Sequence, residues 1–146
     1  MSISKANFAD LPVILTLQKL AYQSEAVLHN DFNLPPLLQT LSDLEAQYQT
    51  HLILKYVQKA ELVGSVRAFV KEDVCQIGRL IVDPQYQGQG IGTQLLAAIE
   101  QAFSTCTRYQ LFTGIKSVRN VQLYQRLGYQ ITQQTDQLIF LEKLNT

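Results

Sequence analysis

The chain has 146 residues, 47% of them hydrophobic, with 12 Lys/Arg against 12 Asp/Glu and a formal net charge of zero. That length suits one domain over residues 1–146 with one core, and the composition is the reverse of a disordered chain. Zero net charge argues against a dedicated nucleic-acid binder, and no run approaches the ~18 apolar residues of a membrane span. Met1 to Lys5 lack the charged-then-apolar pattern of a leader, and Cys75 and Cys106 alone make no disulfide framework, so a cytoplasmic protein is expected.

Ile3 to Ala6 reads as a short first strand. Asp10 is placed to cap a helix running to about Tyr22, with Pro12 in its first turn. Leu11, Ile14, Leu15, Leu17, Leu20 and Ala21 supply its helical spacing. Asn30 to Pro36 reads as irregular, with Pro35-Pro36 stopping any helix there. Thr40 opens a second helix, with Asp43 favouring its N-terminus. The period then changes. His51 to Gln58, Leu62 to Val70 and Val74 to Val82 read as strands of an antiparallel meander, joined by polar turns at Lys59-Ala60-Glu61 and Lys71-Glu72-Asp73. Ile91 to Phe103 returns to helical spacing, with Ile91, Leu95 and Ile99 on one stripe. Gln110 to Thr113 is a short strand, Val118 to Leu127 a helix, and Tyr129 to Thr132 and Leu138 to Leu144 closing strands. The expectation is an α+β, three-layer αβα fold around a mixed, mostly antiparallel sheet of about six to seven strands.

Charge is unevenly spread. Residues 1–73 carry six basic and eight acidic side chains, and residues 74–146 carry six and four, so the halves stand at −2 and +2. Pro84 to Ile99 holds no charge, and every charge from Gln101 to Thr135 is positive. This is either scatter in a short chain or the mark of an anion bound by the second half and a cationic group by the first.

The densest signal is Val82-Asp83-Pro84-Gln85-Tyr86-Gln87-Gly88-Gln89-Gly90-Ile91-Gly92-Thr93. A strand ends at a proline, three glycines alternate, and a helix starts at once. Glycine lets backbone N–H groups approach a ligand without a Cβ in the way, and a helix N-terminus offers unpaired donors and partial positive charge. The segment is either a glycine-rich turn or a site for phosphate or pyrophosphate held by backbone dipoles. It is not a P-loop, which needs a lysine after the last glycine, nor a dinucleotide fingerprint, whose spacing and downstream acid are missing. Downstream, Asn120 and Tyr124 lie four apart on one helical face, and Gly128 takes the C′ role. Alone, Tyr124 reads as a core tyrosine.

Both segments match one family. Gln87-x-x-Gly90-x-Gly92 resembles the acyl-CoA pyrophosphate signature of the GNAT family of N-acetyltransferases, and Asn120-x-x-x-Tyr124-x-x-x-Gly128-Tyr129 is similar to its second pattern. The resemblance covers roughly Val74 to Tyr129. It implies that acetyl-CoA is the cosubstrate, contacted by Leu80, Ile81, Val82, Gln87, Gly88, Gln89, Gly90, Ile91, Gly92, Thr93, Asn120 and Tyr124. It also implies direct attack by an amine, with Tyr124 as acid for the departing thiolate and backbone N–H groups near Leu80 to Val82 polarising the carbonyl. Many relatives use a glutamate on the third meander strand as base, but Val74 to Val82 has no carboxylate. Glu25, His29 and Asp31 are the nearest candidates by analogy of position, with Glu25 taken as base or substrate contact. His51 reads as structural. No metal site is expected, and the absence of a nucleophile elbow disfavours a covalent acyl-enzyme. Arg67 and Arg79 lie inside strands. Arg79 is expected to share a face with Ile77 and Ile81, and these arginines either pair with an acid at a strand edge or one of them holds a substrate carboxylate or phosphate, which would suit an amino-acid-like amine. The acceptor is expected to be a small-molecule or peptide amine, with no nucleic acid and no membrane, and a homodimer is compatible with this. The alternatives are a non-catalytic acyl-CoA-binding module or an acetylating toxin acting on aminoacyl-tRNA.

Overall fold

The computed structural model describes residues 2–146; Met1, where the leader reading began, lies outside them. In chain order the elements are β1 (Ser2–Lys5), α1 (Leu11–Ala21), α2 (Gln23–His29), α3 (Pro35–Leu38), α4 (Leu41–Tyr48), β2 (Leu52–Gln58), β3 (Glu61–Lys71), β4 (Val74–Val82), α5 (Ile91–Ala102), β5 (Arg108–Gly114), α6 (Val118–Arg126), β6 (Gln130–Gln134) and β7 (Leu138–Leu144). Short 3-10 turns at Phe8–Asp10 and Pro84–Tyr86 precede α1 and follow β4.

Seven strands form one sheet in the order β1-β2-β3-β4-β5-β7-β6. Every neighbouring pair is antiparallel except β4 and β5, whose parallel pairing needs the α5 crossover. That pair is short. Only Val74, Cys75 and Gln76 face Arg108, Tyr109 and Gln110, yet β4 continues to Val82 and β5 to Gly114. Beyond Gln76 the two strands part, and one edge of β4 is left without a strand partner in the middle of the sheet.

The larger core lies on the α5 side of the sheet, where Ile91, Leu95, Leu96 and Ile99 pack with Tyr124 of α6 on Tyr56, Val66, Ile77 and Leu111. The smaller one joins Leu11 and Ile14 of α1 and Leu44 of α4 to Ile53. This is the expected three-layer arrangement.

Several local readings change. Asp10 stands at the N-cap of α1 without capping it. Its Oδ2 instead accepts from the Asn7 N–H and from Lys55 Nζ, both at 2.7 Å. Burial opposes ionisation there, but Lys55 and Asn7 outweigh it and hold the carboxyl below its ordinary value. Pro35-Pro36 starts a helical turn rather than preventing one, because the first turn needs no N–H from either residue. The α1 stripe also differs. Leu20 is 49% exposed, whereas Gln18, one turn after Ile14, is fully buried. Both meander turns place two non-glycine residues at positive φ, Lys59-Ala60 and Glu72-Asp73. Such two-residue turns match the strand twist, so Glu61 joins β3. Thr40 does cap α4, its Oγ1 accepting from the Asp43 N–H at 3.1 Å.

Candidate functional site

The glycine loop closes the open seam from above. Asp83 Oδ1 accepts from the Gln85 N–H at 2.9 Å and fixes the turn after β4. Gly88 and Gly90 both stand at φ +81°, a left-handed conformation that other residues enter only at a cost. Gly90 is the N-cap of α5 and offers no side chain, so the N–H groups of Ile91, Gly92 and Thr93 are free of helical partners. Gln87 and Gln89 are exposed, while the Ile91 side chain is buried in the core, which leaves Ile91 only its backbone for a ligand. A Cβ built on Gly92 would stand 3.9 Å from Leu80, Val82 and Leu123. The end of β4, the first turn of α5 and the middle of α6 therefore meet at one point. A bare helix N-terminus above an unpaired strand edge fits a pyrophosphate continued by an extended amide chain, which is the chemistry of coenzyme A.

Within that edge β4 is bulged. Ser65 pairs with Ile81 and Arg67 with Gly78, so Arg79 and Leu80 together oppose Val66. Arg79 sits at φ +50°. Bulges re-aim side chains and interrupt a ladder beside sites. This one corrects the expectation for Arg79. Ile77 pairs with Ala68 and Ile81 with Ser65, which puts the two isoleucines on opposite faces, so Arg79 cannot share a face with both.

Across the seam, α2 contacts the β5–α6 connection. Glu25 Oε2 accepts from Ser117 Oγ at 2.5 Å, and its Oε1 accepts from Asn120 Nδ2 at 3.1 Å. Asn120 Nδ2 also donates to Thr113 Oγ1 at 3.2 Å, in the half of β5 that has parted from β4. Both amide hydrogens of Asn120 are thus used inside the chain, and its Oδ1 is the atom left for a ligand. His29 Nε2 accepts from the Lys116 N–H at 3.1 Å, which puts the ring proton on Nδ1, 3.0 Å from the Glu25 carbonyl. Asp31 accepts from the Asn33 N–H in an exposed turn and takes no part. His51 packs at a tilt against Phe69, with ring centroids 4.7 Å apart, just before β2.

Tyr124 is 7% exposed and packs on Tyr129 with ring centroids 6.1 Å apart. Gly128, at φ +99°, ends α6 in a Schellman motif. The Tyr129 N–H bonds the Tyr124 carbonyl at 3.0 Å and the Gly128 N–H bonds that of Gln125 at 3.1 Å. Burial pushes the Tyr124 hydroxyl far above the usual tyrosine range, with further contributions from Tyr22 and Glu25. Tyr22, where α1 gives way to α2, is raised by burial too, against the pull of Arg79. Tyr124, Glu25, Tyr22 and Arg79 therefore form one electrostatically connected group. Sequence reasoning missed Tyr22, Ser117 and Thr113, which carry no motif.

Arg67 is the other surprise. It is 3% exposed and pairs with no acid among the described residues. Instead Nη1 donates to Gln47 Oε1 at 2.5 Å and Gln39 Oε1 at 3.3 Å, and Nη2 donates to Gln18 Oε1. Gln18 Nε2 in turn bonds Gln39 Oε1 and the Pro36 carbonyl, each at 2.9 Å. The buried glutamine on the α1 stripe is explained by this network.

A family model described as an acetyltransferase (GNAT) domain matches residues 18–138. An uncharacterized N-acetyltransferase of Methanocaldococcus jannaschii is 37% identical over 62 residues, 41% of this chain and 27% of that protein. A spermine/spermidine N(1)-acetyltransferase of Bacillus subtilis is 32% identical over 63 residues, 41% of each chain. The match thus spans about two fifths or less of these curated relatives' length. The crystal structure of the PaiA N-acetyltransferase from Thermoplasma acidophilum in complex with coenzyme A has the same fold, with a TM-score of 0.85 at 15% identity over 99% of both chains. Among the described residues no helix is long and apolar enough to cross a membrane.

Proposed function

The chain belongs to the GNAT acetyltransferase family, a family of acyl-CoA-dependent N-acyltransferases, and on that premise we propose that it transfers an acetyl group from acetyl-CoA to a primary amine of a small molecule or peptide. Attack is direct, with both substrates held in the β4–β5 seam. The observation that carries this reading is the coincidence at that seam of an unpaired β4 edge, the bare N-terminus of α5 and the wall formed by Asn120 and Tyr124 of α6.

Acetyl-CoA supplies an activated thioester carbonyl; the chain's own groups do the rest. The N–H groups of Gly88 to Thr93 bind an anion without a basic side chain. The free edge of Ile77 to Val82 orients an extended chain by strand-like pairing, and the backbone around the bulge donates toward a carbonyl oxygen. Holding two reactants together removes much of the barrier. Glu25 accepts one hydrogen bond on each oxygen, which leaves lone pairs to take a proton from an ammonium group. Tyr124 Oη keeps its proton throughout the neutral range, because burial disfavours the phenolate. The same burial raises the proton affinity of a thiolate placed beside it, so donation from Oη is matched to that environment.

Thermal unfolding with and without acetyl-CoA tests the reading. Saturation at a hundred times Kd adds about 2.7 kcal/mol, or roughly 9 °C for a chain of this size. No shift at millimolar acetyl-CoA overturns it. A shift without thiol release across a broad amine panel reduces the protein to an acyl-CoA binder.

A further inference from the structure

The geometry points to an anionic acceptor: the amine that this protein acetylates carries a carboxylate, which Arg79 and Arg67 hold beside Tyr22. The inference rests on the proposed acetyl transfer and names the class of its acceptor.

A guanidinium taken out of water needs a counter-charge, and removing it from water without one is costly. Arg67 has none. Three glutamine oxygens from α1, α4 and the α3–α4 link solvate it as neutral dipoles. Its Nε stays buried and without a partner, and so does Nε of Arg79. Two cations with an unfilled donor each are thus turned to the α1–α2 face of the sheet. Arg79 is brought there by the bulge, and its charge pulls on the Tyr22 hydroxyl against the effect of burial. The positive potential is felt by its neighbours. Arg67 is pulled down to about 10, by burial first and the charge of Arg79 second. His51 is lowered by burial and then by Arg67.

Beside them there is room. Gly78 pairs with Arg67 across β3 and β4 and so shares its face, and a Cβ built on Gly78 would meet nothing within 4 Å. A planar carboxylate in that space meets the Nε–H that each guanidinium leaves unfilled. The space adjoins the reacting end, since Tyr22 stands at the N-terminus of α2, three residues before Glu25, and Glu25 bonds Asn120 on the helix that carries Tyr124. One small molecule with its carboxylate at Arg79 therefore puts its amine near Glu25 and Tyr124. An amino acid has this layout; a polyamine, cationic along its length, is repelled.

Direct binding by calorimetry separates this inference from the transfer reading, because it needs no turnover. The probes are free amino acids of differing side chain, their carboxamides, an aminoalkyl phosphonate and spermidine, each with and without coenzyme A. At least one free amino acid is expected to bind ten-fold or more tighter than its amide, with spermidine weaker than either. Arg79→Gln is expected to remove that preference while acetyl-CoA still raises the Tm, which shows that the variant folds. Arg79→Lys restores part of it. A phosphonate that binds tighter than every carboxylate overturns the carboxylate assignment. Amides equal to acids, no acid bound, or tight spermidine binding overturns the anion site, whatever acetyl-CoA does. Loss of the acetyl-CoA shift in the unmutated protein overturns the transfer reading instead.

Discussion

At the glycine loop an anion would be held by a chain segment without one charged side chain, whereas across the sheet two guanidinium groups are kept with no acid paired to either among the described residues. The loop can do this because its donors are backbone N–H groups that α5 leaves unpaired and that Gly88 and Gly90 aim. The opposite face can do it because Gln18, Gln39 and Gln47 turn their oxygens toward Arg67. The first solution costs conformational strain that only glycine avoids; the second costs the burial of a charge. Net charge, zero for this chain, therefore says little about where potential is concentrated.

The largest expected effect is at the wall between these regions. Tyr124→Phe should lower kcat about a hundred-fold or more while the acetyl-CoA thermal shift persists; unchanged turnover would remove Tyr124 as the acid. Next is the contact that ties α2 to the β5–α6 connection. A Cβ on Gly114 would lie 2.3 Å from His29 Nε2, so Gly114→Ala should destabilise the fold by about 1–3 kcal/mol. Adding His29→Ala should recover most of that in a double-mutant cycle. At the loop, Gly90→Ala should lose about 1–2 kcal/mol through its left-handed backbone and raise KM for acetyl-CoA. Gly92→Ala, helical and with only ordinary contacts around its Cβ, should keep or gain stability. A raised KM there isolates the close backbone approach from conformational strain. Below about pH 9 the smallest effect is on pH dependence. Burial raises Cys75 to about 12 and also raises Tyr22, Tyr124 and Tyr129. Their neutral forms stabilise the fold fully below the unfolded pKa values, near 9 and 10. Above those values the unfolded state releases protons that the folded state keeps, so stability falls as pH rises, by about 1.4 kcal/mol per unit for each group. Arg67, lowered to about 10, opposes this above that pH. Urea midpoints from pH 7 to 10.5 should be flat at first and then decline; a rise above pH 9 would contradict the burial of these groups.

Much of the donor side was legible in the order of residues alone. The strand Val74 to Val82, the helix beginning at Ile91 and the glycine at the end of α6 follow from hydrophobic period and backbone freedom, which act within a few residues. The acceptor side was not. Gln18 occupies a core position of α1, but a residue's polarity points outward until a partner such as Arg67, on a distant strand, is in place. Tyr22 and Ser117 belong to no pattern, because their roles depend on α2 meeting the β5–α6 connection.

The sequence by itself determined the layered fold and the loop that suits a pyrophosphate, since both rest on local spacing and on conformations open only to glycine. Only the tertiary structure decided where Arg79 points and what surrounds Arg67. A single bulge in β4 reverses the facing of every residue after it, and the cost of a buried charge depends on groups that the chain brings together from α1, α4 and the α3–α4 link.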